Sequence, residues 1–417
     1  MASFNGMDEF VRRPKRSPLD DAAPQPQHKA ARAPHHSGEL PIPVDGPDPF
    51  IPKALAAHAS KRRLHFRLPK PKTKVQWGIM LGSIAGLLLG TGFCVYYFIL
   101  RDTTPAPMPV VQQAAAPAAA PEPTTIASRV SGRQLDKASA VKSIYAVQIE
   151  NSPEARPQSG LKEADIISEA VAEGGITRFN AIFHDNAPAN IGPIRSLRPY
   201  YIDWFLPYGA PIVHAGGSPE ALSDVRALGI QDMDNTAGYF RRVSNRYAPH
   251  NLYSSGSQLL ELFSKRGYKN TDTVPSLPRK DAAASAAPNA GNINLAISSA
   301  LYNVNFTWDA ASNTYLRKQG GAAHVDAETG AQLAPNAVVV PVMSKGIHPD
   351  RVHTQYGTVG SGEVFVFQDG TVTKGTWTKS ARAAQWQLTD SAGAAIKLNP
   401  GQTWFTMIDS AGKVTFQ

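Results

Sequence analysis

The chain has 417 residues, 42 Lys+Arg against 33 Asp+Glu, and a single cysteine, Cys94. One cysteine excludes an intrachain disulfide framework and any zinc site built on several cysteines. The formal charge of +9 is concentrated at the front: residues 1–74 hold 14 basic and 7 acidic side chains, and the remaining 343 hold 28 and 26. The bulk of the chain is therefore not a basic nucleic-acid binder, and no nucleic-acid partner is expected.

Residues 1–74 are rich in Pro, Ala and charge, with stretches such as PLDDAAPQPQ and no sustained periodicity. They read as a disordered basic cytoplasmic tail. Val75 to Leu100 follows as 26 residues without a charge. At 1.5 Å per residue it spans about 39 Å, enough for a hydrocarbon core of roughly 30 Å. It starts too far in and runs too long for a cleaved signal. Residues 75–100 are therefore expected to be a retained transmembrane helix. Lys61, Arg62, Arg63, Arg67, Lys70, Lys72 and Lys74 precede it, whereas only Arg101 and Asp102 follow closely. That asymmetry places the N-terminus in the cytoplasm and the C-terminal domains outside the cell membrane, with the bilayer itself as one partner. Gly78, Gly82, Gly86 and Gly90 recur every four residues and form one face. Such a face suits close helix approach and self-association.

Residues 101–140 contain a Pro/Ala-rich run that reads as an extended linker. Residues 141–268 read as an α/β or α+β domain. IYAVQIEN is a strand, and ADIISEAVAEGGITRFNAIF a hairpin turning on Gly174-Gly175. In that register Glu169, Val171 and Glu173 share a face, with Arg178 opposite Val171 and within diagonal reach of either carboxylate. A helix competes for the first half, because Glu169 and Glu173 are four apart. Pro199 opens a short helix through Phe205, and residues 210–214 form a buried strand. Ser218 caps a helix with Pro219 at its first position and Gly229 at its end. SQLLELFSKRG gives another helix, closed by Gly267. Residues 269–291 read as a linker. Residues 292–417 carry many short strand-like runs with turn signals, such as EVFVFQDGTVTKGTW, and read as a mostly β domain.

NSPEARPQSGL at Asn151, EGGITRF at Glu173, IGPIRSLRPYYID at Ile191, HAGGSPEA at His214 and APHNLY at Ala248 occur in that order. RKQGGAAHVDAETGAQL, FQDGTVTKGTWTK and LNPGQTWF follow. Over Ile144 to Asp409 this pattern resembles the YerB-like family, bacterial cell-envelope proteins with two tandem domains of unknown function. The resemblance implies an extracytoplasmic, two-domain protein and supplies no reaction. Lipoproteins of the family are anchored through a lipidated Cys, whereas this chain has a membrane helix behind a tail. The Ala323-His324-Val325-Asp326 stretch lacks the proline that precedes the His in the family pattern.

Chemistry is sparse. His214-Ala-Gly-Gly-Ser is a strand-to-helix turn in which Gly216, Gly217 and the Ser218 helix start suit an anion. An ordinary capped turn explains it as well. Arg195 and Arg198 offer bidentate contacts to phosphate or carboxylate. Arg241, Arg242 and Arg246 add positive charge, with His250 and Asn251 beside them. Ion pairs with Glu169, Glu173 or Asp203 are the plainer account of these arginines. No dinucleotide, P-loop, HExxH or GxSxG pattern is present, so no cofactor, metal or catalytic residue is assigned. Two readings follow. The first is a non-enzymatic envelope module that binds a cell-wall component or an envelope protein. The second is an enzyme acting on phosphorylated carrier lipid or wall polymer, similar in layout to LytR–CpsA–Psr phosphotransferases. The second requires Arg195, Arg198, His214 and Glu169 to line one cleft.

Overall fold

The structure, a computed structural model, describes residues 73–100, 123–137, 143–270 and 274–417. The expected cytoplasmic tail, apart from Thr73 and Lys74, and residues 101–122 of the expected linker lie outside the described residues.

The chain divides into two units, Met1–Gln112 and Gln113–Gln417. In the first, helix α1 spans Lys74–Val95, and the stretch Tyr96–Leu100 continues it as a wider π turn. Lys74–Ile99 has a mean hydropathy of 1.9 over its 18-residue window, long and apolar enough by length and composition to cross a membrane. Thr73 accepts a hydrogen bond from the Gln76 amide at its start. The hydroxyls of Ser83 and Thr91 donate to the carbonyls of Ile79 and Leu87 at 2.8 and 2.7 Å. Within hydrocarbon, where no water satisfies them, polar groups need such internal partners. Around Gly78, Gly82, Gly86 and Gly90 the space a Cβ would enter is open.

The second unit is built on a ten-stranded mixed sheet. In chain order its strands are β1 (Tyr145–Glu150), β2 (Ile166–Val171), β3 (Thr177–Phe183), β4 (Ile212–His214) and β5 (Asp232–Asp234). They continue as β6 (Ala337–Pro341), β7 (Gly360–Gln368), β8 (Thr371–Lys379), β9 (Gln387–Asp390) and β10 (Thr403–Thr406). Their spatial order is β9-β8-β7-β6-β10-β2-β3-β1-β4-β5. Alternation assigns successive residues to opposite faces: Val147, Ile167, Phe179 and Val338 enter one core, whereas Ala146, Ile166, Ile182 and Val339 enter the other. Helix α4 (Gly256–Lys265) and a five-stranded sheet of residues from 292 onward contribute to the first core. Helices α2 (Pro199–Phe205) and α3 (Pro219–Ala227) contribute to the second. An α/β part thus precedes a mostly β C-terminal part, and the membrane-length helix stands near the N-terminus.

Several expectations need correction. The boundary drawn at 269–291 does not separate two cores, because β10 pairs in parallel with both β6 and β2, joining strands from both sides in one sheet. Nor do the described residues of the expected 269–291 linker run free. Arg279 donates to the carbonyls of Asn399 and Val130, and the Lys280 amide donates to Leu398 O. The spacer drawn through residue 140 ends earlier: Thr125–Ala127 pairs with Gln134–Asp136, and Val130 and Ser131 between them are buried. The β2–β3 hairpin does not turn on two residues. Val171 pairs with Thr177 and Ala170 with Arg178, across a short 3-10 turn at Glu173–Gly175. The one-residue slip follows from burial, since it sends Phe179 and Ala181 into the same core as Ile167 and turns Arg178 to the opposite face.

Candidate functional site

The turn after β4 forms as expected, with its polar groups met by the chain itself. His214 is fully buried; its Nδ1 lies 2.8 Å from Gly216 O and its Nε2 2.9 Å from Asp232 Oδ1. Both ring nitrogens face acceptors, an arrangement that favours the doubly protonated ring. Burial alone would lower its pKa, but the bond to Asp232, the charges of Asp232 and Asp234 and the Gly216 carbonyl together raise it. The Gly216 amide donates to Asp234 Oδ1 at 3.0 Å, so the anion at this turn is the chain's own carboxylate. At Gly217 a Cβ would stand 3.2 Å from Leu197 O, so this glycine makes room for the neighbouring backbone. Ser218 Oγ accepts from the Ala221 amide and caps α3.

The arginines of the 195–198 segment are held by carboxylates. Arg195 Nε lies 3.2 Å from Glu150 Oε1, the oxygen that also faces His250 Nδ1 at 3.0 Å. Arg198 pairs with Glu173 Oε1, and Arg178 Nη2 lies 3.0 Å from Glu173 Oε2. Of the two carboxylates within Arg178's expected reach, Glu173 is therefore the one engaged. Burial pushes Glu173 up, but Arg198 and Arg178 hold it below the usual carboxylate range. Asn251 accepts from Arg242 Nη1 at 2.6 Å and donates to the carbonyls of Val243 and Arg246. Glu169 stands apart from all of these. It sits in the other core with Arg317, whose Nη2 reaches its two oxygens at 3.0 and 2.8 Å, and Trp404 Nε1 donates to it at 3.1 Å. Arg195, Arg198, His214 and Glu169 therefore do not line one cleft.

A recess lies elsewhere, a cavity of about 580 Å³ between α2, α3 and a hairpin whose strands are Lys345–Ile347 and Thr354–Tyr356. Tyr200 and Tyr356 stack edge to face in its wall, with ring centroids 4.9 Å apart. Asp203, on the buried side of α2, accepts from Arg382 Nε at 2.6 Å and from the Thr358 hydroxyl. Arg382 Nη2 continues to Asp224 at 2.7 Å. His348 Nε2 stands 3.3 Å from Glu220, one of the lining residues. This lining joins aromatic rings, paired charges and hydroxyls from both halves of the chain, a surface suited to a polar ligand rather than an apolar one. Its lining residues lie far apart along the chain, so local sequence hardly marks it. Asp203 inside an otherwise apolar helix was the one available signal, because an acid buried there demands a partner.

Among the described residues no group of three or more His, Cys, Asp or Glu is arranged to hold a metal ion.

Comparison with known proteins fits these elements. Residues 130–269 match the N-terminal domain, and residues 293–405 the C-terminal domain, of the family described as "Protein of unknown function (DUF3048)". A curated protein of Bacillus subtilis (strain 168), named "Putative lipoprotein YerB", is 31% identical over 271 residues, covering 63% of this chain and 80% of that protein. The crystal structure of the YerB protein from Bacillus subtilis superposes with a TM-score of 0.65 at 26% identity, over 70% of this chain and 99% of that one.

Proposed function

Because the chain belongs to the YerB-like family of paired DUF3048 domains, we propose that it is a membrane-anchored, extracytoplasmic binding module without catalytic activity. Helix α1 is the anchor, with the basic tail in the cytoplasm and residues 123–417 outside. The lipoprotein name of the B. subtilis relative supports an envelope location, reached in this chain by a helix in place of a lipid. The open glycine face of α1 supports association of two such helices in the bilayer.

The observation that carries the binding role is the cavity of about 580 Å³ walled jointly by α2, α3 and the 345–356 hairpin. Its ligand is a polar wall component or a polar segment of an envelope protein. The competing phosphotransferase role would need free guanidinium groups at 195 and 198, and these are paired with Glu150 and Glu173.

Co-sedimentation of the detergent-solubilised protein with purified wall sacculi, stripped of phosphate-bearing polymers, tests the reading. Gly346→Trp fills the cavity from a position where a Cβ meets only Gln355, at 3.5 Å. Wild type is expected to sediment, and Gly346→Trp to remain in solution with unchanged thermal stability. Turnover of a carrier-lipid pyrophosphate by the purified protein would overturn the non-enzymatic reading.

A further inference from the structure

Arg241 and Arg242 form a short strand, Arg241–Arg242, paired with Leu252–Tyr253, and Arg246 lies in the loop between them. All three are held by neutral acceptors. Arg241 donates to Asn190 Oδ1, Arg242 to Asn251 Oδ1 at 2.6 Å, and Arg246 to the main-chain carbonyls of Glu154 and Pro157 at 2.8 and 2.7 Å. Among the described residues none of the three takes part in an ion pair, in contrast to Arg178, Arg195 and Arg198. Neutral acceptors fix a guanidinium in place without cancelling its charge.

Two of these cations face the same recess. Arg241 and Arg246 line a cleft of about 290 Å³ together with Ser159, Asn190, Tyr253 and Glu328. The Glu328 carboxylate is the opposing charge. Its oxygens are taken by Ser159 Oγ at 2.7 Å and Asn190 Nδ2 at 2.6 Å, which leaves two guanidinium charges against one carboxylate. Tyr247, the next residue after Arg246, is 91% exposed.

We propose that this cleft binds a phosphate-bearing polyanion strand, with Arg241 and Arg246 on phosphate oxygens and Tyr247 against the strand's neighbouring unit. A recess favours a strand over a bilayer, since one phosphate on a flexible chain can enter it whereas a plane of headgroups meets only the rim. The site is separate from the cavity beside α2 and α3, and a blocked cavity should leave it intact.

The test uses the full chain in dodecyl maltoside, with inorganic polyphosphate as one probe and phosphatidylglycerol vesicles as the other. Wild type is expected to bind polyphosphate, with affinity falling about tenfold for Arg241→Gln and again for Arg246→Gln. The slope of log affinity against log salt should shrink by roughly 0.7 for each arginine removed. Glu328→Gln removes the opposing charge and should tighten binding, a gain that misfolding cannot mimic. Gly346→Trp should bind polyphosphate like wild type. Unchanged affinity in the double arginine variant, unchanged or weaker binding in Glu328→Gln, or wild-type binding to the vesicles without binding to polyphosphate would each overturn the proposal.

Discussion

Arg317 donates from Nη2 to both carboxylate oxygens of Glu169, and neither side chain reaches solvent. Its guanidinium carbon also lies 4.4 Å from the centroid of a Trp404 ring. The pair links β2 of the first half to the strand Thr314–Gln319 of the second, inside one core. Removing one partner strands the other charge. Arg317→Met should therefore cost about 3–5 kcal/mol of unfolding free energy, and the double variant Glu169→Leu/Arg317→Met should recover a large part of it. Urea titration of the detergent-solubilised protein reads both. A loss under about 1 kcal/mol in the single variant would show that the pair does not hold the halves together.

Two buried histidines give opposite pH signatures. His324 Nε2 faces Gln158 Oε1 at 2.8 Å, its Nδ1 accepts from Arg317, and burial with that neighbouring cation drives its pKa well below the ordinary value. The unfolded ring takes a proton that the folded ring refuses, so stability is complete above about pH 6.5 and falls as pH drops below it. His214 has a raised pKa, so its contribution is full below about pH 6.5 and is lost as pH rises through the folded value. Each slope is limited to about 1.4 kcal/mol per pH unit. His324→Gln should flatten the acid limb of the stability profile and His214→Gln the limb above it. An acid limb that survives in His324→Gln would contradict the assignment.

Arg382 is the clasp of the larger cavity, since it bridges Asp203 of α2 and Asp224 of α3. Arg382→Ala leaves the buried Asp203 carboxylate with the Thr358 hydroxyl. We expect a loss of about 1–3 kcal/mol, with faster hydrogen exchange at α2 and little change in β1. Uniform exchange across the unit would instead mean that Arg382 is a passive surface cation.

The hairpin at residues 125–136 is bolted down by Asp185, whose oxygens accept from the hydroxyls of Ser128 and Ser131 at 2.5 Å each. Ser128→Ala/Ser131→Ala should expose this hairpin to limited proteolysis while leaving the ten-stranded sheet protected. Cleavage first appearing after residue 143 would argue against that anchoring role.

Local chemistry made much of the fold readable. Pro199 opens α2, Ser218 and Pro219 open α3, and Asp369-Gly370, both in the left-handed region, close the β7–β8 hairpin. The β2–β3 register was not readable from its two glycines, because the buried face decides it. Nor was the shared sheet, since β10 joins β2 across more than 200 residues of intervening chain. The same separation hid the cavity, where Asp203 meets Thr358 and Arg382. Arg195 and Arg198 stood out as cations, but only the folded chain brings Glu150 and Glu173 against them.

The proposed placement of the module outside the membrane can be tested with a membrane-impermeant maleimide. Cys94 lies within α1, so a Cys94→Ser background removes the one native thiol. Ser17→Cys marks the tail and Ser391→Cys the β9 end of the large sheet. In intact cells, with any wall made permeable, Ser391→Cys should label and Ser17→Cys should label only after lysis. Labelling of Ser17→Cys in intact cells with Ser391→Cys protected would contradict the proposed orientation and, with it, the extracytoplasmic role.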